Sequence, residues 1–226
     1  MPSKLLLFFL VAVAVFGLAI VPFLVIQPNL QLDSSSFRRP FVGALYSIVC
    51  VLGIVAVFYP SKCRLVFQKP NASPVSIKVS TSSVGFSGHH PNCEKFSANR
   101  ITIRGKAFCS ACSGLLFGAI ASIVGIVLFS LGFFGMEAGS LWILAGGDVL
   151  MVLGLAQVKL GGYIKMAMNA LFVVGSCISL VVTDVVGQNL LIDLYVLGLI
   201  IYILWLRISL SEWNNKRICM DCRHCV

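Results

Sequence analysis

Two pairs of potential metal ligands stand close together in the stretch HHPNCEKFSANRITIRGKAFCSACSG: His90-x-x-Cys93 and, fifteen residues later, Cys109-x-x-Cys112. Ligand pairs of this kind, roughly 15–20 residues apart, have the spacing of a zinc ribbon or knuckle. A turn of two intervening residues lets both side chains of a pair reach one ion. The second pair then closes the tetrahedron from across a short hairpin. Between the pairs, RITIRGKAF alternates β-branched residues and turns at Gly105-Lys106, which predicts the strands of that hairpin. The expectation is a Zn²⁺ site made of His90, Cys93, Cys109 and Cys112. His89 competes with His90 for the first position, but only His90 keeps two residues within its pair. Four protein ligands leave no open position for water, so the site reads as structural rather than hydrolytic.

The segment ICMDCRHCV holds a second cluster, Cys219, Cys222 and Cys225, with His224 among them. Three thiols do not complete a tetrahedral site. Cys63, just past an apolar run, could supply the fourth ligand, whereas His224 is awkwardly adjacent to Cys225. One alternative is an iron–sulfur centre, although the fourth Cys of a bacterial-type run does not follow. Redox-active thiols, or no site at all, are the others.

The elements that carry these residues are membrane helices. The chain has 226 residues, of which 58% are hydrophobic and 11% charged, so an ordinary soluble domain is excluded. Six apolar runs reach the length needed to cross about 30 Å of hydrocarbon: 5–26, 41–59, 113–135, 141–160, 165–185 and 190–208. Gly146, Gly147 and Asp148 interrupt the fourth. The first is longer than a usual signal-peptide core and reads as an uncleaved anchor. Of the 17 basic residues, all but Arg38 and Arg39 fall on one side if the N-terminus is cytoplasmic, which predicts both termini inside a cell (plasma or inner) membrane. The +9 net charge is then a topology signal with some attraction to anionic lipid, and no nucleic-acid partner is expected.

That topology puts seven of the nine cysteines on the reducing side, where clustered thiols bind metal more often than they pair. Cys50 and Cys177, inside apolar runs, read as small packing residues. The soluble stretch of about fifty residues is too short for a core of its own, which makes a metal staple physically reasonable. The predicted organisation is helices 1–2 over 1–60, a cytoplasmic metal-binding loop over 61–112, helices 3–6 over 113–208, and a Cys-rich cytoplasmic tail over 209–226. The fold class is thus an all-α polytopic membrane protein with a small zinc-ribbon-like β module between helices 2 and 3.

Asp148 lies inside the fourth run, where an ionisable side chain is costly and marks a functional position by default. The bland alternative is a hydrogen-bonded group facing other helices, with Asn169 or Ser176 as partner. Asp184 and Asp193 are expected near the outer surface, solvated at the interface. Gly114-x-x-x-Gly118 predicts close helix packing within the bundle rather than a homodimer. Met151, Met166 and Met168 hint at soft-metal handling, but Met is also a routine gap-filler. The sequence has no nucleophile elbow, P-loop, dinucleotide fingerprint or zincin helix, and an enzyme is not the default.

The segment His90-Pro91-Asn92-Cys93, Phe96, Phe108-Cys109-Ser110-Ala111-Cys112-Ser113-Gly114, with Gly118 one turn on, resembles an uncharacterised prokaryotic family of small polytopic membrane proteins. Its HPxC form with C-x-A-C-S-G is most similar to archaeal members. The order of His before Cys and the lack of an Arg between Cys109 and Cys112 depart from the wider pattern, and the C-terminal cluster lies outside it. The resemblance covers some thirty residues plus the helical frame after them. It implies membrane architecture and a metal motif, and it supplies no activity.

The sequence thus predicts a non-enzymatic accessory or scaffold protein with a structural zinc site on its cytoplasmic face, docking to a larger membrane complex in the bilayer. A second expectation is a thiol-redox or electron-transfer protein that uses the Cys clusters. A third is a metal-ion transporter with Asp148 in the path.

Overall fold

In hydrocarbon no water satisfies backbone N–H and C=O groups, so an apolar run longer than about 20 residues folds as a helix. The computed structural model describes residues 4–26, 37–58, 99–103, 106–133 and 140–220. Its helices are α1 (Lys4–Ile26), α2 (Arg38–Phe58), α3 (Ser110–Ser130), α4 (Ser140–Leu155), α5 (Gly162–Gly187) and α6 (Leu190–Met220). A 3₁₀ turn, Ala156–Lys159, extends α4. All six helices are long and apolar enough to cross a bilayer, with α4 and its 3₁₀ extension counted together. The chain is a multi-pass membrane protein. Large apolar side chains such as Phe8, Phe16, Trp142 and Leu191 face outward, as lipid contact requires.

The bundle is built around α5. Two-thirds of its membrane window (67%) is buried, against 28% for α1 and for α2, so it is the axis and they are the periphery. α3, α4 and α6 all pack on it. Close approach to α5 needs small residues: a Cβ on Gly114 would overlap the Met166 carbonyl, and one on Gly147 would stand 2.6 Å from Ser179 Oγ. The glycines that interrupt the fourth apolar run are therefore compatible with an unbroken helix, and Gly147 is a contact point. The Gly114/Gly118 pair faces α5 of the same chain, as the packing expectation had it.

At one end of the bundle α5 turns sharply into α6. Gln188 adopts a left-handed conformation (φ 45°) at the α5 C-cap. Asn189 Oδ1 then accepts a hydrogen bond from Leu191 N at 2.8 Å, capping α6. The β structure among the described residues is one antiparallel hairpin, β1 (Arg100–Ile103) with β2 (Lys106–Cys109), in register Arg100↔Cys109. This is less than the zinc-ribbon-like module expected over 61–112, most of which falls outside the described residues.

Two expected boundaries move. α2 starts at Arg38 rather than at residue 41, and α3 starts at Ser110 rather than at residue 113. Both shifts bring residues read as loop into helical first turns. The earlier start of α2 overturns the reading of Asp184 and Asp193 as solvated interfacial groups. They are 1% and 0% exposed, and Arg38, itself 5% exposed, reaches them from the first turn of α2.

Candidate functional site

The Cys pair sits where a strand becomes a membrane helix. β2 ends at Cys109, which keeps extended geometry (φ −71°, ψ 119°) as the N-cap of α3 and makes no side-chain cap bond. Cys112 follows in the first turn, and its thiol is within hydrogen-bonding reach of the Cys109 thiol. The two sulfurs therefore lie side by side beside the positive end of the α3 dipole. Cys109 is buried and Cys112 half-buried.

A buried polar chain supports this pair. Ser110 Oγ donates to the Asn99 carbonyl at 3.0 Å, which ties the helix start to the residue before β1. Asn99 Oδ1 accepts from Lys165 Nζ at 2.8 Å, and the same ammonium interacts electrostatically with both thiols. One turn along α5, Asn169 Nδ2 donates to the Lys165 carbonyl at 2.6 Å, while Asn169 Oδ1 accepts a short hydrogen bond from Arg207 of α6. The Arg207 guanidinium lies over the Phe172 ring, 3.8 Å from its centroid. Lys165 and Arg207 are 7% and 3% exposed, so two cations are buried at the Cys end of the bundle.

Of the predicted ligands, Cys109 and Cys112 are thus brought together, whereas His90 and Cys93 lie outside the described residues. For the second candidate cluster, Cys63, Cys222 and Cys225 lie outside the described residues. Cys219 falls in the last turn of α6, and its side chain lies outside the described set. Among the described residues no three His, Cys, Asp or Glu side chains converge on a point that could hold a metal ion. What is described is one pair of adjacent thiols. Its donor chemistry fits Zn²⁺, since thiolates suit that ion and the ammonium beside them offsets their charge.

Asp148 is 8% exposed and accepts a hydrogen bond from Ser179 Oγ at 2.8 Å. Its partner is therefore neither Asn169 nor Ser176. Asn169 is taken up by Lys165 and Arg207. Ser176 joins Tyr46 and Ser122 in donating to the Val173 carbonyl, at 2.8, 2.9 and 3.1 Å. Cys177 donates its thiol to the Ser122 carbonyl at 3.6 Å, and Cys50 is buried in the core, which fits small packing residues.

Sequence reasoning missed Lys165, Arg207 and Asn99 as parts of the site, having counted the two cations as topology charges. One usable signal was present: Lys165 and Asn169 are four apart on a helix and share a face. Against known proteins, the chain matches no family model, no curated sequence and no solved structure.

Proposed function

We propose that this is a non-enzymatic integral membrane accessory protein of the cell membrane, with both termini cytoplasmic and a structural zinc site on that face. Its role is to dock against a larger membrane complex. The observation that carries the reading is the pair of adjacent thiols, Cys109 and Cys112, at the start of α3 with the Lys165 ammonium beside them. His90 and Cys93 complete the ligand set. Zinc supplies a rigid cross-link between the loop before β1 and the first turn of a membrane helix. Lys165 holds positive charge against the thiolates, and Asn99 fixes that ammonium in place. The basic residues at this end of the bundle support a cytoplasmic location.

Metal content per chain, measured on purified wild type and on Cys109→Ser, tests the proposal. Zinc bound to wild type and lost from the variant, with lower abundance of the variant protein, is the expected result. Unchanged abundance and unchanged metal content would sink it.

A second reading, a membrane thiol-redox protein, is favoured by the placement of a C-x-x-C pair at a helix N-terminus next to a cation. Alkylation separates the two: a metal-bound pair is protected until a chelator is added, whereas a redox pair reacts at once. For transport through Asp148, the observations offer less support. That carboxyl is hydrogen-bonded to Ser179 where Gly147 and Gly175 bring α4 and α5 into contact.

A further inference from the structure

The end of the bundle opposite the Cys pair holds two carboxyl groups that the proposed function does not use. Asp184, in the last turn of α5, and Asp193, in the first turn of α6, are 1% and 0% exposed and within hydrogen-bonding reach of one another. Among the described residues, the charged groups facing them come from α2. Arg38 Nε lies 2.9 Å from Asp184 Oδ1 and 3.6 Å from Asp193 Oδ2, and Arg39 Nε lies 3.4 Å from Asp184 Oδ2. From α1, packed alongside at Val25, no titratable side chain enters, since the described part of that helix holds none at this end.

Hydrogen-bond bookkeeping at this site does not close. Among the described residues, Asp184 Oδ2 and both oxygens of Asp193 have no hydrogen-bond partner, although each is shut off from solvent. Nearby in sequence, Thr183 Oγ1 is in the same position. A carboxylate oxygen buried without a donor is strongly unfavourable, because the ion has lost its hydration and gained nothing in exchange. Two facing carboxylates that share one buried guanidinium also repel each other. Arg39 offsets this weakly, because its side chain is 48% exposed and it makes no hydrogen bond to them. One hydrogen placed between the facing oxygens satisfies one oxygen on each side, leaving a single orphan on Asp193, and removes the repulsion by making the pair a monoanion matched to Arg38.

We propose that Asp184 and Asp193 form a proton-binding site that joins α5 to α6 at this end of the bundle, with Arg38 as its fixed counter-charge. The proton comes from water at that bundle end. One O–H bond of a hydronium ion there breaks and one O–H bond forms on the Asp193 carboxyl, whose hydrogen the Asp184 carboxylate accepts, and a water molecule is left behind. The site's ligand is the proton; sodium or an ordered water are the rival occupants, each with a distinguishable signature.

The test is infrared spectroscopy of the full chain in detergent at neutral pH, in H₂O and in D₂O. A protonated-carboxyl C=O band that shifts down in D₂O, persists in Asp148→Asn and disappears in Asp193→Asn is the expected result. Asn at 193 supplies the same hydrogen from its amide, so this variant should keep the wild-type unfolding midpoint, whereas Asp184→Asn should lower it by weakening the hold on Arg38. Absence of the band, its persistence in Asp193→Asn, or failure of Asp193→Asn to fold would each overturn the proposal. A midpoint that rises with sodium but not with choline at equal ionic strength would overturn it in favour of a metal cation.

Discussion

Arg38→Met should be among the most damaging single substitutions in the bundle. Arg38 is 5% exposed and makes an ion pair with Asp184 at 2.9 Å. Its Nη2 also donates to the Asp184 carbonyl at 3.0 Å, an oxygen that accepts from Gln188 N–H at 3.3 Å as well. Met preserves much of the side-chain volume but removes the charge and both donors, leaving a buried carboxylate behind. Breaking a buried pair by deleting one partner costs about 3–5 kcal/mol, most of it from the stranded charge. Asp184→Asn alone strands the guanidinium less completely, because Asp193 remains within 3.6 Å. The double variant Arg38→Met/Asp184→Asn removes both charges and should recover a large part of the loss. Unfolding midpoints of the four proteins in detergent give the cycle. A coupling energy above about 1.5 kcal/mol is expected for a close buried pair. A value under about 0.5 kcal/mol, with Arg38→Met as stable as wild type, would refute the view that this contact joins α2 to α5.

Three further outcomes follow from the packing and the site. Gly114→Ala should destabilise by about 1–3 kcal/mol, the usual cost of overpacking, because its Cβ overlaps the Met166 carbonyl; unchanged unfolding would show that α3 and α5 do not approach so closely. Tyr46→Phe removes a hydroxyl that donates to the Val173 carbonyl at 2.9 Å and should cost about 1 kcal/mol in the same assay. A gain in stability would contradict that bond. Asp148→Asn should leave folding nearly intact, since the amide oxygen still accepts from Ser179 Oγ. Loss of a metal-ion flux in vesicles carrying this variant would revive the transport reading.

The helices were legible because run length and hydropathy alone define a membrane span. The first apolar run was expected over 5–26, and α1 is Lys4–Ile26. The polar contacts were not legible, because each depends on a partner far away in sequence. Arg38 and Asp184 are 146 positions apart, so neither residue announces that the other neutralises it. Charge near the end of an apolar run reads as the start of water. Here it marks a buried clasp, since α2 begins three residues earlier than its apolar run. For the stretch before the Cys pair, the alternating residues predicted a hairpin, and the described β1–β2 hairpin ends at Cys109. What spacing could not give was the cation beside the pair. Lys165 reaches the thiols because Gly114 and Gly118 let α5 lie against α3, and that follows from helix packing rather than from the motif.

The proposed structural zinc site is tested most directly by elemental analysis of the purified, detergent-solubilised protein, with metal counted per chain. The account predicts about one zinc, bound through His90, Cys93, Cys109 and Cys112, in keeping with a closed four-ligand site. A second equivalent would bring in Cys63 with Cys219, Cys222 and Cys225. Chains without metal whose Cys109 and Cys112 thiols alkylate at once would contradict it.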